Sequence, residues 1–173
     1  MTPSRPHPAA APPYRAFARA LAGALVCAAV ACAREPADIA DLCSGGPATA
    51  TIEATVDTVR PPAGAALLAW KGQNFRMRLT FAASAGAIAG AGCDERSGTA
   101  TFEADFPDPI RNATAASREA SWRIQGEMVM LDLNPGTRDN NVFVAIPLKR
   151  GEGHWGLSTF VGEVAGGRTR SVP

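Results

Sequence analysis

The sequence has few of the residues from which catalytic and metal centres are built. Its 173 residues include two histidines and four cysteines, and aromatic residues make up 6%. His154 is the one histidine beyond the N-terminal segment, and no G-x-S-x-G nucleophile elbow or zinc-ligand spacing of cysteine and histidine occurs. We therefore expect a protein that is not an enzyme and that holds no metal and no other cofactor.

The N-terminal apolar run is too short to cross a membrane as a helix. Its uncharged residues, Ala20 to Ala33, number 14, whereas a spanning helix needs about 20. Arg5, Arg15 and Arg19 precede the run without an acidic residue, as in the positive n-region of a secretory signal. Residues 1–33 are therefore predicted to be an export signal.

Two cleavage sites fit this signal. Ala31-Cys32-Ala33 has the A-x-A form that signal peptidase cuts, which would leave Arg34 as the first mature residue. Residues 29–32, Ala-Val-Ala-Cys, instead resemble a bacterial lipobox, although leucine is commonest at the first of these positions. We favour the lipobox.

The lipobox resemblance implies a lipid-anchored protein. It makes Cys32 the lipidated N-terminal residue and the membrane a partner through acyl chains. Ala33 does not match an inner-membrane retention signal, so the resemblance implies the periplasmic face of the outer membrane. The alternative is a soluble periplasmic or secreted protein.

Two cysteines remain for the folded part. Cys27 is removed with the signal, and Cys32 is either lipidated or removed, which leaves Cys43 and Cys93. A single pair in an exported domain predicts a disulfide.

The charge of the mature chain excludes a nucleic-acid partner. Three of the 17 basic residues lie in the signal and all 16 acidic residues remain, so the net charge is 14 minus 16, or −2. A nucleic-acid footprint would need a clustered basic face.

Alternation of apolar and polar residues predicts strands. Every second residue is apolar in residues 48–57, 75–81 and 99–106, as in strands with one buried face. The runs ALLAW, SWRIQ, EMVMLDL, NVFVAIPL and HWGLSTFVG are further predicted strands. About eight closely spaced antiparallel strands indicate a small all-β domain with a barrel-like meander, and a β-sandwich is the alternative.

The predicted organisation has four parts. Residues 1–33 form the export signal, residues 34–47 a short tether, residues 48–165 the β-domain, and residues 166–173 a frayed C-terminus rich in glycine and arginine.

Five residues are candidates for contact with a ligand or partner. Arg76 and Arg78 lie two apart on one strand face. Such a stripe binds a carboxylate or a phosphate or forms a salt-paired solvent face, which we favour. Trp122 and Trp155 bind a small apolar ligand at a barrel mouth or anchor the core. His154 is the only candidate base for a hydrolase, the less favoured interpretation.

One loop is rich in oxygen ligands. The run DLNPGTRDNN, residues 132–141, has the composition of a calcium loop, but it departs from the EF-hand pattern at Gly136 and lacks the closing glutamate. The same residues build tight turns, and we favour the turn.

Together these features predict an exported, lipid-anchored envelope protein that acts as a non-catalytic binding or accessory module. Its expected partner is an envelope protein or a small apolar ligand. A structural envelope lipoprotein without a ligand is the alternative.

Overall fold

The structure, a computed structural model, describes residues 39–83 and 92–173. The described residues belong to one compact unit, Pro36–Pro173. The export signal, the lipobox and residues 34–38 of the tether lie outside the described residues. Among the residues described, no helix combines the length and apolar character needed to cross a bilayer.

Nine strands account for about half of the described residues. They are β1 (Ala48–Thr55), β2 (Thr58–Val59), β3 (Asn74–Phe81), β4 (Ser97–Ala104), β5 (Glu119–Gln125), β6 (Met128–Asp132), β7 (Asn141–Pro147), β8 (Glu152–Thr159) and β9 (Gly162–Val172). Short 3-10 helices span Ile39–Ser44, Ala65–Trp70 and Cys93–Glu95, and a single turn of α-helix, α1, spans Asp108–Arg111. The apolar run ALLAW was predicted as a strand, and this prediction was wrong because it forms the second 3-10 helix.

Eight of the strands form a closed antiparallel barrel. The order is β1-β3-β4-β5-β6-β7-β8-β9, and β9 pairs back onto β1 with Thr51 opposite Val172 and Ala54 opposite Thr169. An antiparallel meander closes in this way only with an even number of strands, because neighbours alternate in direction. The two-residue strand β2 pairs with β9 beyond the point where β1 leaves it. The prediction of a small all-β barrel is confirmed.

The alternating residues point into the barrel and fill it. On β3, the buried positions are Phe75, Met77, Leu79 and Phe81, each at most 2% exposed, and the residues between them are exposed. Apolar residues of the other barrel strands complete one continuous core.

The C-terminus is a strand rather than a frayed end. Residues 166–172 belong to β9, which pairs with β8 on one side and with β1 and β2 on the other. The prediction was wrong because the segment lacks large alternating apolar residues. It has small ones instead, and a Cβ at Gly167 would lie 1.8 Å from the carbonyl oxygen of Thr55. Glycine is required where β9 passes this close to β1.

The two ends of the barrel differ, and we name them by their main feature. At the disulfide end, the helix Ile39–Ser44 is joined to residues 93–95 by the Cys43–Cys93 disulfide, whose Cα atoms are 4.6 Å apart. The predicted disulfide is confirmed. At the loop end lie four connections, residues 56–73, 105–118, 133–140 and 160–161.

Candidate functional site

The five predicted contact residues do not form one site. The structure places Trp122 and Trp155 in the barrel interior, where they are 3% and 1% exposed. It places Arg76, Arg78 and His154 on the outer wall, all exposed and distributed over β3 and β8. The tryptophans are therefore core residues, and an outside contact can involve only the other three.

Trp155 helps to close the barrel. Its indole Nε1 donates a hydrogen bond of 2.8 Å to the carbonyl oxygen of Thr55, at the point where β1 parts from β9. Its ring packs edge-on against Phe75 with centroids 5.1 Å apart. A polar indole tip satisfied by a backbone carbonyl is typical of a structural tryptophan.

Trp122 is also a core residue, and its indole bonds the neighbouring strand β4. Its Nε1 donates to the carbonyl oxygen of Thr99 at 3.0 Å, and its ring meets Phe81 edge-on at 5.9 Å. Gly98 lies against the indole, since a Cβ there would be 3.1 Å from three ring atoms. Both rings occupy the space in which a small apolar ligand would have to lie, so the geometry favours a contact on the outside.

His154 lies on the outer side of β8. Its cross-strand neighbours are Ala145 of β7 and Arg168 of β9, and its ring packs edge-on against Phe143 with centroids 5.8 Å apart. A general base needs a carboxylate to orient it and a nucleophile within hydrogen-bond reach. Ala145, Arg168 and Phe143 provide neither a carboxylate nor a nucleophile. The geometry at His154 therefore gives the hydrolase interpretation no support.

Charged side chains concentrate on the outer wall where β1 meets β9. We call this set the charged wall, and it consists of Glu53, Asp57, Arg76, Arg168 and Arg170. Glu53 Oε1 accepts a hydrogen bond from Arg170 Nη2, and its Oε2 lies 3.6 Å from Arg76 Nε. Asp57 Oδ2 accepts from both the backbone N–H and the Nε of Arg168, each at 3.0 Å.

These pairs fix the ionisation of the two carboxylates. The hydrogen bond from Arg170, followed by the positive charges of Arg170 and Arg76, holds the pKa of Glu53 below its ordinary value of 4.5. The hydrogen bond from Arg168 holds the pKa of Asp57 below 3.8 and raises the pKa of Arg168 in return. Hydrogen bonding to the charged form is the usual cause of such shifts.

Two shallow grooves run over this side of the barrel. One of about 230 Å³ is lined by charged-wall residues together with Thr55, Asn74, Glu152 and Thr169. The other, of about 100 Å³, is lined by Arg78, Glu103, Thr80, Thr101 and Phe102. Arg78 lies directly opposite Glu103 in the β3–β4 register. A wall on which cations face carboxylates fits the salt-paired solvent face better than a carboxylate-binding stripe.

The oxygen-rich loop 132–141 builds a turn. Asp132 Oδ1 accepts a hydrogen bond of 2.9 Å from the backbone N–H of Asn134, and Asn134 Nδ2 donates to the carbonyl oxygen of Asn140 at 3.2 Å. Side chains that bond their own backbone are typical of tight turns. Across residues 39–83 and 92–173, no group of three or more His, Cys, Asp or Glu side chains could hold a metal ion.

The sequence did not single out the most exposed apolar residues. Phe160 is 83% exposed and Val161 61% exposed, and they are the two residues that join β8 to β9. We call this pair the hairpin tip. Leu68, 49% exposed, is in the 56–73 connection of the same loop end. The run HWGLSTFVG predicts a continuous strand through Phe160, and the Gly162 that follows the tip was the available signal for a turn.

Comparisons with protein-family models, with curated proteins and with solved structures found no match to this chain.

Proposed function

We propose that this chain is exported, anchored through a lipidated Cys32 to the periplasmic face of the outer membrane, and acts there as a non-catalytic binding or accessory module. In this proposal the barrel is a solid scaffold that contacts an envelope protein through its outer surface.

The Cys43–Cys93 disulfide is the observation that carries the export proposal. Disulfides persist in oxidising compartments such as the bacterial periplasm and are rare in the cytosol. The bond ties the start of the described chain to the barrel, since Cys43 lies in the helix that precedes β1. A tether that ends at such a fixed point would connect a lipid anchor directly to the folded domain.

The filled interior supports a contact on the outside. Trp122, Trp155, Phe75 and Phe81 occupy the barrel together with aliphatic side chains. Pockets for small molecules are concave and largely preformed, and this interior is instead packed with rings in edge-on contact. An envelope protein is therefore favoured over a small apolar ligand.

The intact mass of the protein purified from the membrane fraction of a Gram-negative host tests the anchor. We expect a chain that begins at Cys32 and carries acyl chains, and a Cys32→Ala chain that moves to the soluble fraction. Alkylation of Cys43 and Cys93 should require prior reduction in both proteins. A mature chain that begins at Arg34 would replace the anchored protein by a soluble periplasmic one, and retention of residues 1–33 would reject export.

A further inference from the structure

The hairpin tip has apolar side chains at positions where two-residue turns usually have Asn, Asp or Gly. Two-residue hairpin loops favour Asn-Gly, Asp-Gly or Gly-Gly pairs, because these residues accept the backbone angles of the turn. Here Phe160 and Val161 occupy both central positions, and the positive φ of 103° falls on Gly162. Gly162 therefore provides the unusual backbone angle, and the side chains of Phe160 and Val161 are not needed to form the turn.

Hydrogen bonds constrain the backbone of the tip. Thr159 Oγ1 accepts a hydrogen bond from the backbone N–H of Val161 at 3.3 Å and donates to the carbonyl oxygen of Gly162 at 3.5 Å. Below the tip, β8 and β9 pair from Thr159–Gly162 to Glu152–Arg170, with one register shift at Leu157/Ser158. Preorganised apolar groups lose little conformational freedom when they bind.

We propose that the hairpin tip is a docking element that inserts Phe160 and Val161 into an apolar pocket on a folded envelope protein. This deepens the binding function proposed above and rests on it. A pocket that surrounds both side chains would bury most of their exposed surface, as for the anchor residues that dominate protein interfaces.

A lipid surface fits the rim of the tip poorly. Sequence, register and backbone hydrogen bonds bring charges of both signs near the tip. Glu163 follows it in the chain, and the backbone N–H of Arg60 bonds the carbonyl oxygen of Val164. Arg138 and Asp139 precede Asn141, which pairs with Ser158. Segments that bind anionic bilayers carry an excess of Lys and Arg around their apolar residues.

The position of the tether also favours a protein partner. The described chain begins at the disulfide end, and the tip is at the loop end. An anchor at Cys32 would therefore attach to the barrel at the end opposite the tip.

A second copy of this chain is a poor occupant. A tip-to-tip contact would touch only the ends of two side chains from each copy. A pocket in a different protein gains more, because it encloses the side chains instead of touching their ends.

Photo-crosslinking from the tip in the full-length chain tests this proposal. p-Benzoylphenylalanine is placed at position 160 or, as the control, at exposed Thr101 of β4, in cells of a Gram-negative host. We expect an adduct with one envelope protein from position 160 and none from position 101. Purified partner should then bind the Phe160→Ser/Val161→Ser chain at least roughly tenfold more weakly than wild type, and the Leu68→Ser chain with unchanged affinity.

The remaining outcomes each reject the proposal. These are the lack of a tip-dependent protein adduct, an adduct only with a second copy of the chain, and tip-dependent sedimentation with vesicles of phosphatidylethanolamine and phosphatidylglycerol. The urea midpoint of the serine double variant should equal that of wild type, which shows that lost binding is not lost folding. Repeating the crosslink in the Cys32→Ala chain separates the two proposals, because a retained adduct there would keep the docking tip even if the anchor failed.

Discussion

The two ends of the barrel are held together by different means. At the disulfide end, a covalent bond joins Cys43 to Cys93 across 50 residues of sequence. At the loop end, β1 and β9 part after Ala54, and noncovalent contacts take over: the indole of Trp155 on Thr55, the close passage of Gly167, and the Asp57–Arg168 pair.

This difference matches what each end presents. At the disulfide end, the Cys43–Cys93 bond fixes the start of the described chain to the barrel. The loop end carries the hairpin tip, whose two side chains remain exposed. Four experiments test whether the two ends are stabilised as unequally as the structure indicates.

Removing the disulfide should have the largest effect. Closing a loop of 50 residues restricts the unfolded chain by about 4 kcal/mol on the loop-entropy model. We expect the Cys43→Ser/Cys93→Ser chain to lose about that much free energy of unfolding, measured by urea titration of tryptophan fluorescence. Wild type in reductant should match the variant. A loss below about 1 kcal/mol would show that the noncovalent contacts, and not the disulfide, dominate the stability.

Gly167→Ala should be the next most damaging change. Its Cβ would lie 1.8 Å from the Thr55 carbonyl oxygen and 2.9 Å from the Asp57 backbone nitrogen, so one strand must move, at a cost of about 3 kcal/mol. Gly46→Ala at the disulfide end is the matched control, since its nearest atom would be 3.6 Å away. Equal unfolding midpoints for the two variants would contradict the close passage at the loop end.

Trp155→Phe should cost about 2 kcal/mol, because it removes a buried donor from the Thr55 carbonyl. Trp122→Phe is the control at the other part of the wall. The Thr99 carbonyl that Trp122 bonds also accepts the backbone N–H of Ala82, so it keeps a partner. The free energies of unfolding should therefore rank wild type, Trp122→Phe and Trp155→Phe in decreasing order, and the reverse order of the two variants would reject the role of Trp155.

Acidification should have the smallest effect. The pKa values of Glu53 and Asp57 are lower in the folded protein than their ordinary 4.5 and 3.8. Their stabilising pairs are therefore complete above pH 4.5 and are lost as the pH falls through the lowered values. Between pH 7 and 3, thermal unfolding of the Glu53→Gln/Asp57→Asn chain should depend less on pH than that of wild type. If the melting temperatures of the two chains changed equally with pH, these pairs would contribute nothing to stability where β1 meets β9.

The fold was predictable where side chains alternate in size and polarity. β1, β3 and β4 carry strict period-2 patterns, and counting cysteines was enough for the disulfide. The run ALLAW failed because five apolar residues fit a strand and a buried helical turn equally well. The prediction of a frayed C-terminus failed for a different reason. Where β9 meets β1, its inward positions are Gly167 and Thr169. These residues are small because another strand passes close by, and a local sequence pattern does not show that.

The surface was less predictable than the core. The sequence left Trp122 and Trp155 as core or contact residues, because exposure depends on which strands surround a ring, and that is a property of the closed barrel. The hairpin tip went unnoticed because Phe160 and Val161 continue an apolar strand pattern. The charged wall was predicted only as a choice between a salt-paired face and a carboxylate-binding stripe. Two of its cations, Arg168 and Arg170, come from β9, more than 100 residues from the carboxylates that they pair with.

Closure by the C-terminal strand sets an order in time. Of the described strands, β9 is synthesised after all the others, and it pairs with β8 and with β1, the earliest of them. Until it is complete, the chain can form only an open sheet whose two outer strands, β1 and β8, lack neighbours, and unpaired edges promote association with other chains. Contacts between the ends of a sequence also form slowly. Folding of this domain therefore has to wait for its final residues, and during that interval two open edges need protection from other chains.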